Sequence, residues 1–274
     1  MEPSFIVYTI ILLVVLYLAL SIAYRWFVGT SDEQDMVIYP GTSRDGLVSN
    51  DKKATIYSGS QIPQIYGGGE YSISTWIYVN DWNVNKGKNK PFLVLSGGNK
   101  SASGILTLIM YLGQFTNKLG IRVSSETQYD KGITLIDDYS KIVSGTSPYS
   151  DSSADFKKCD IEHVNLQKWV NITAVLNGRT LDIYIDGKLS RSCLLDGLFK
   201  VDGDTPILKL GGPDAFGGLI GLTRSANFAY SPDRVYYYYQ NGPFSRFSLS
   251  NLDPGQYSID IKNRGSVLFS SSTS

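Results

Sequence analysis

Residues 169–193 read WVNITAVLNGRTLDIYIDGKLSRSC, and this stretch decides the fold. Within Trp169–Leu176 the side chains alternate. Val170, Ile172, Ala174 and Leu176 line one face, and Trp169, Asn171, Thr173 and Val175 the other. A period of two marks a strand. Asn177-Gly178 follows, a pair suited to a positive-φ turn, and Leu181–Ile185 resumes the extended pattern. Asp186-Gly187 is a second turn of the same kind, after which Lys188–Arg191 continues. Three short strands joined by two tight turns predict an antiparallel meander.

The same grammar extends outward in both directions. Tyr71–Val79 (YSISTWIYV) puts Tyr71, Ile73, Thr75, Ile77 and Val79 on one face, and Pro91–Ser96 is a continuous apolar run, as in a central strand. Gly104–Leu112 and Leu119–Ser124 form a pair about a turn at Gln114–Lys118. Further strands are predicted at Ala54–Tyr57, Ile207–Leu210 and Gly217–Arg224. One soluble helix stands out: Ser231 caps it, Pro232 takes its first position, and Asn241-Gly242-Pro243 stops it. Of Tyr236, Tyr237, Tyr238 and Tyr239, two are expected on the sheet and two in solvent. The chain beyond Pro243 is serine-rich, with extended segments expected at Tyr257–Ile261 and Val267–Phe269.

The N-terminus is different. Phe5–Tyr24 (FIVYTIILLVVLYLALSIAY) is a run of 20 residues without a charge. As a helix it spans roughly 30 Å, the thickness of a bilayer core, and only a helix satisfies its own backbone there. A cleaved signal peptide would begin with a basic region and end at small residues, whereas this chain begins Met-Glu-Pro-Ser and follows the run with Arg25-Trp26-Phe27. The expectation is therefore a single-pass anchor that meets the lipid through Phe5–Phe27, with Tyr8, Tyr24 and Trp26 at its interfaces. Arg25 on the C-terminal flank places the bulk of the chain on the cytoplasmic side.

Composition narrows the function. The 274 residues carry 25 basic and 25 acidic side chains and no net charge, which argues against nucleic-acid binding. One histidine and two cysteines argue against a protein-built zinc site. The mean hydropathy of −0.08 averages an apolar anchor with a polar, turn-rich domain. The expected organisation is an anchor at 1–28, a membrane-proximal linker and first strand at 29–69, a β-sandwich at 70–243 and a serine-rich tail at 244–274.

The order of these elements resembles the laminin-G-like branch of the concanavalin A-like lectin/glucanase superfamily. YSISTWIYV opens the domain, WVNITAVLNGRTLDIYIDGKLSRSC forms its middle with Tyr184-Ile185-Asp186-Gly187 at the second hairpin, and GGLIGLTRSANFAYSPDRVYYYYQNGP closes it at Ser231-Pro232. The likeness covers Gly69 to Pro243, about two-thirds of the chain. It implies an all-β fold: a jelly-roll sandwich of two antiparallel sheets behind one N-terminal transmembrane helix. The anchor, the linker and the string CDIEHVNLQKWVNITAVLNGRTLDIYIDGKLSRSC are also similar to minor capsid proteins of chloroviruses and related algal viruses. That likeness implies a place between an inner membrane and the capsid shell, with the major and other minor capsid proteins as partners.

Catalytic equipment is sparse. Glycoside hydrolysis needs two carboxylates set across a sugar cleft. The Glu-x-Asp-x-Glu string of the superfamily's retaining hydrolases is missing, since Asp160-Ile161-Glu162 has the wrong order and no third carboxylate. His163, the only histidine, falls in a surface turn before the Trp169 strand. Laminin-G-like domains often bind calcium through loop oxygens, and Asp137, Asp138, Asp202 and Asp204 are the candidate ligands, although both strings also suit plain turns. Cys159 and Cys193 flank the meander and are read either as a disulfide or as two reduced buried thiols. Of two glycosylation sequons, Asn171 lies inside a strand, leaving Asn99 as the candidate acceptor. Trp82, beside Asn80, Asp81 and Asn83, is the candidate glycan contact, against the plainer reading of a half-buried loop tryptophan. The expected function is a non-enzymatic, membrane-anchored structural protein. The alternative is a membrane-tethered lectin or adhesion module that binds carbohydrate, and a diverged glycoside hydrolase ranks third.

Overall fold

Both turns of the 169–193 meander depend on backbone that L side chains rarely adopt. Gly178 has φ +56°, and Asp186 and Gly187 have φ +50° and +76°. Two consecutive positive φ values make the type I′ geometry that matches strand twist. Asp186 does more than turn the chain. Its carboxylate accepts from the Asn171 N–H (2.9 Å), and its own N–H donates to the Asn171 carbonyl (2.9 Å). The hairpin is thereby fastened to the strand beside it.

The computed structural model describes residues 12–17, 19–20, 33–41, 46–97, 106–126, 139–145, 159–201, 206–245, 258–263 and 266–272. The strands are β1 (Asp35–Tyr39), β2 (Leu47–Val48), β3 (Thr55–Ser58), β4 (Glu70–Asp81), β5 (Lys90–Gly97), β6 (Leu106–Leu112) and β7 (Leu119–Val123). There follow β8 (Trp169–Asn177), β9 (Thr180–Ile185), β10 (Lys188–Leu194), β11 (Pro206–Leu210), β12 (Gly217–Ala226), β13 (Ser258–Asn263) and β14 (Ser266–Ser272). Among the described residues, besides the helical residues 12–17 and 19–20, two α-helices accompany them, α1 (Tyr139–Ser144) and α2 (Pro232–Gln240).

The strands form two antiparallel sheets. One has seven strands in the order β1-β12-β4-β8-β9-β10, with β2 also on β12; the other runs β3-β11-β5-β6-β7. Among the described residues, strands β13 and β14 pair only with each other. The sheets face one another across a core. Val170, Ile172, Ala174 and Leu176 of β8 and Tyr71, Ile73, Ile77 and Val79 of β4 meet Phe92, Leu93, Leu95, Leu108, Met110, Ile121 and Leu208. Thr75 lies in the same row of β4 and satisfies its hydroxyl against Thr223 Oγ1 (2.8 Å).

Two differences from the sequence reading have physical causes. Residues 29–69 hold more than a linker and one strand, because β1 and β2 pair with β12 before β3 joins β11. The sandwich thus begins at Asp35. These strands are two to five residues long and take their register from distant partners, so local periodicity does not announce them. Helix α1 was not foreseen; six residues are too few for a helical stripe, and α1 is held by tertiary contacts. Its Ile142 joins Val94, Leu106, Ile109 and Tyr111 over the outer face of the five-stranded sheet. Asn89 ties it down, donating through Nδ2 to the Ile142 carbonyl (2.7 Å) and through its N–H to the Val143 carbonyl (2.8 Å).

The expected anchor falls mostly outside the described residues. Residues 12–17 and 19–20 are helical. Among the described residues no helix is long and apolar enough to cross a membrane.

One glycine shows how tightly the outer face is built. A Cβ at Gly120 would clash with Cζ of the buried Tyr111 side chain and lie only 2.6 Å from its hydroxyl oxygen. Gly120→Ala is expected to cost about 1–3 kcal/mol in denaturant unfolding. Gly59→Ala, with nothing within 4 Å of the added carbon, is expected to cost only the positive-φ penalty, about 1 kcal/mol. Equal losses at the two positions would contradict the packing described.

Candidate functional site

The loop after β4 carries the first candidate. Asp81 accepts from the Asn83 N–H (2.8 Å), and Asn85, at φ +54°, donates to the carbonyls of Pro213 and Ala215 (2.8 Å each). The loop is therefore pinned to the chain entering β12. Trp82 is half-buried and packs against the core. The Lys90 ammonium sits 4.2 Å from the centre of its ring. Lys90 itself is fully buried and donates to the carbonyls of Lys88 (3.3 Å), Gly113 (3.1 Å) and Gln114 (3.4 Å). Burial lowers its pKa to about 8. The cation was not legible in the sequence, where Lys90 reads as an ordinary residue before a strand.

The second place is the open edge of the five-stranded sheet. Cys159 and Cys193 are joined as a disulfide with Cα atoms 5.7 Å apart, linking the segment before Ile161 to β10. That segment runs along β7: Leu119 and Ile161 exchange backbone hydrogen bonds (2.8 and 3.0 Å). Arg122 donates from Nη1 to Asp160 Oδ1 and from Nη2 to Oδ2 (3.1 Å), and Lys118 Nζ lies 2.7 Å from Oδ2. Arg122 also donates to the Ile121 carbonyl (3.0 Å). The only hint in the sequence was an arginine at an outward position of an otherwise apolar strand.

The third place lies on the outer face of the seven-stranded sheet, under α2. Ser231 caps the helix by accepting from the Arg234 N–H. Val235 packs with Val175, Tyr184, Ala226 and Tyr230, and Tyr239 stacks on Trp76 at 5.6 Å. Tyr238 is half-buried, whereas Tyr236 and Tyr237 face outward, the two-and-two division expected. Asp35, at the start of β1, gathers this region. It accepts from the Tyr230 hydroxyl (2.9 Å) and from the Tyr238 hydroxyl, and it pairs with Arg224 (3.3 Å). Arg224 in turn lies over the Tyr238 ring at 4.5 Å. Burial first, and then the Asp35 carboxylate, raises both phenols, Tyr238 to about 12.

The remaining candidates are quickly placed. Asp137, Asp138, Asp202, Asp204 and Asn99 lie outside the described residues. Among the described residues no three His, Cys, Asp or Glu side chains gather to hold a metal ion. Asn171 is fully buried, donating to Ser74 Oγ (3.1 Å), so its sequon offers no room for a glycan. His163 is exposed, with Nδ1 3.4 Å from Asn117 Oδ1.

No protein-family description matches the chain, and no curated protein does. Solved structures similar to it share little sequence. The botulinum neurotoxin serotype D binding domain is 14% identical, covers 76% of this chain and 46% of its own, and gives a TM-score of 0.44. Trypanosoma rangeli sialidase in complex with sialic acid is 10% identical, covering 72% and 28%, with a TM-score of 0.44. Domain 4 of AbnA, a GH43 extracellular arabinanase from Geobacillus stearothermophilus in complex with arabinotriose, is 11% identical, covering 75% and 86%, with a TM-score of 0.38. The chain spans about half the length or less of the toxin binding domains it matches.

Lys90 supplies a test by pH. Its folded pKa is depressed below its ordinary value of 10.5, so between about pH 8 and 10.5 the unfolded chain holds the extra proton. Stability contributed at this position therefore rises with pH through that window. The buried tyrosines act in the opposite sense only above about pH 10, where an unfolded phenol ionises. From pH 8 to 10 the wild-type chain should gain on the order of 1–2 kcal/mol relative to Lys90→Met in chemical unfolding. Parallel pH profiles would show that Lys90 is not held as a desolvated cation.

Proposed function

We propose that this chain is a membrane-anchored structural protein that works by binding rather than by chemistry. The observation that carries this reading is at the N-terminus. Leu12, Leu13, Val14, Val15, Leu16, Tyr17 and Leu20 belong to helical backbone, and each exposes 53–72% of its surface. Side chains that apolar on every side of a helix have lipid as their natural solvent. The sandwich then stands at the membrane as a single body, of concanavalin A-like type, whose buried charges, Lys90, Arg122 and Asp160, are engaged in holding the fold. Its edges and outer faces are the surfaces left for neighbours. The resemblance to minor capsid proteins supplies the specific form: a link between an inner membrane and a capsid shell, made through major and other minor capsid proteins.

A second reading, a membrane-tethered glycan-binding module, has one observation in its favour. Trp82 keeps part of its ring exposed between the exposed Asp81 and Asn83, a setting in which an aromatic stacks on a sugar.

The readings separate by experiment. Full-length protein expressed in cells should stay in the membrane fraction after alkaline carbonate washing, and a chain lacking residues 1–28 should be released. In intact vesicles the sandwich should be open to added protease from the cytoplasmic side. Release of the full chain by carbonate would remove the anchor, and a protease-protected sandwich would reverse the orientation. In particles purified from a virus encoding this chain, it should cross-link to shell proteins, and its absence from them would end the capsid reading. Glycan-array binding lost in Trp82→Ala would favour the second reading instead.

A further inference from the structure

Helix α2 turns an aromatic edge outward: the rings of Tyr236 and Tyr237 meet those of the neighbouring Tyr239 and Tyr238, and much of their surface is left to solvent. Tyr236 is 47% exposed and Tyr237 59%, although their neighbours Tyr238 and Tyr239 are packed down. Arg234 is exposed beside them, its guanidinium 4.8 Å from the centre of the Phe228 ring. The patch continues sideways onto β10, which lies beside α2. There Leu189, 56% exposed, pairs with Tyr184 and so shares the face on which Tyr184 meets Val235. Asp233 is the acidic residue in the helix's first turn.

The position of this patch relative to the N-terminus points to its occupant. The chain arrives from the N-terminal side through Gln34 and Asp35. Gln34 donates its N–H to Asn227 Oδ1 (2.7 Å) and accepts from the Asn227 N–H (3.1 Å), while Asp35 holds the hydroxyls of Tyr230 and Tyr238. The point where the chain enters the sandwich is thus bonded directly to α2. Between Tyr24, the end of the apolar run, and Asp35 there are ten residues, 25–34. Ten residues reach at most about 35 Å, less when not fully extended. Among the faces of the sandwich, the one bearing α2 is where the tether is attached.

We propose that the outer face of α2 rests on the headgroup zone of the bilayer that holds the chain, an inference that rests on the anchor reading above. Tyrosines suit this zone because the ring enters the apolar boundary while the hydroxyl stays hydrated. Arg234 is placed to meet lipid phosphate, and Leu189 adds apolar contact at the margin. The contact orients the sandwich, with the five-stranded sheet turned away from the membrane and toward whatever the protein binds. Exposed Ile56 and Lys209 lie on that far side, paired across β3 and β11.

The test uses the full chain in phosphatidylcholine vesicles that include phosphatidylcholine with a nitroxide on its headgroup. A fluorophore is attached at Gln240→Cys, on the exposed end of α2, or at Lys209→Cys, on the far sheet. The α2 label should lose most of its fluorescence to the nitroxide and the far label little. Adding Tyr236→Ser and Tyr237→Ser to the α2-labelled chain should restore much of the signal. Both substitutions are at exposed positions, and an unchanged thermal transition will verify that the fold is kept. Equal quenching of the two labels, or quenching indifferent to the tyrosine substitutions, overturns the proposal. If the chain resists carbonate while the α2 label stays bright, the docking fails and the anchor stands; if carbonate releases the chain, the anchor itself has failed.

Discussion

A guanidinium and a carboxylate, both almost fully withdrawn from water, close the open side of this sandwich. Arg122 and Asp160 expose 1% and 2% of their side chains. Arg122 belongs to β7, the last strand of the five-stranded sheet, whose outer backbone groups would otherwise face water or another chain. Asp160 arrives on a segment that bridges to β7 at Ile161 and is joined through Cys159 to β10, the last strand of the other sheet. One short segment therefore seals one sheet edge and ties it to the other sheet. The pair is expensive to desolvate, and further partners offset part of that cost. Lys118 meets the Asp160 carboxylate, and Arg122 also donates to the Ile121 carbonyl.

With that side closed, the apolar rows of β4 and β8 are sealed against β5, β6 and β11, and the outer faces become available for other uses. Helix α1 covers part of one sheet through Ile142, and α2 covers part of the other through Val235 and Tyr239. Charges that resemble catalytic equipment are occupied in building: Lys90 on three carbonyls, Asp186 on the Asn171 N–H, Asp35 between two tyrosines and Arg224.

The meander was legible because alternation and turn chemistry agree there. A run of nine residues with a period of two, followed by glycine at a positive-φ position, admits few other conformations. The loop setting of Trp82 was legible for the same local reason. What escaped was whatever is decided across long separations. Strands β1 and β2 exist because β12 lacks hydrogen-bond partners without them, and nothing within DMVIY or LV says so. Arg122 and Asp160 stand 38 positions apart, and charged residues read singly look like surface residues. The Asp35 cluster joins β1 to α2, two elements from opposite ends of the domain. The two calcium-candidate pairs came from the laminin-G-like resemblance, with plain turns as the competing reading, and they lie outside the described residues.

The central claim is that a buried charge pair latches the sandwich, and a double-mutant cycle tests it most directly. Arg122→Met and Asp160→Leu are each made alone and then together, with stability measured by denaturant unfolding. Asp160→Leu should cost about 3–5 kcal/mol by stranding the Arg122 charge, and Arg122→Met should cost less because Lys118 still meets Asp160, while the double variant should cost far less than the sum. Single losses that are small and simply add would contradict the account, because they would mean that each side chain finds water, not its partner.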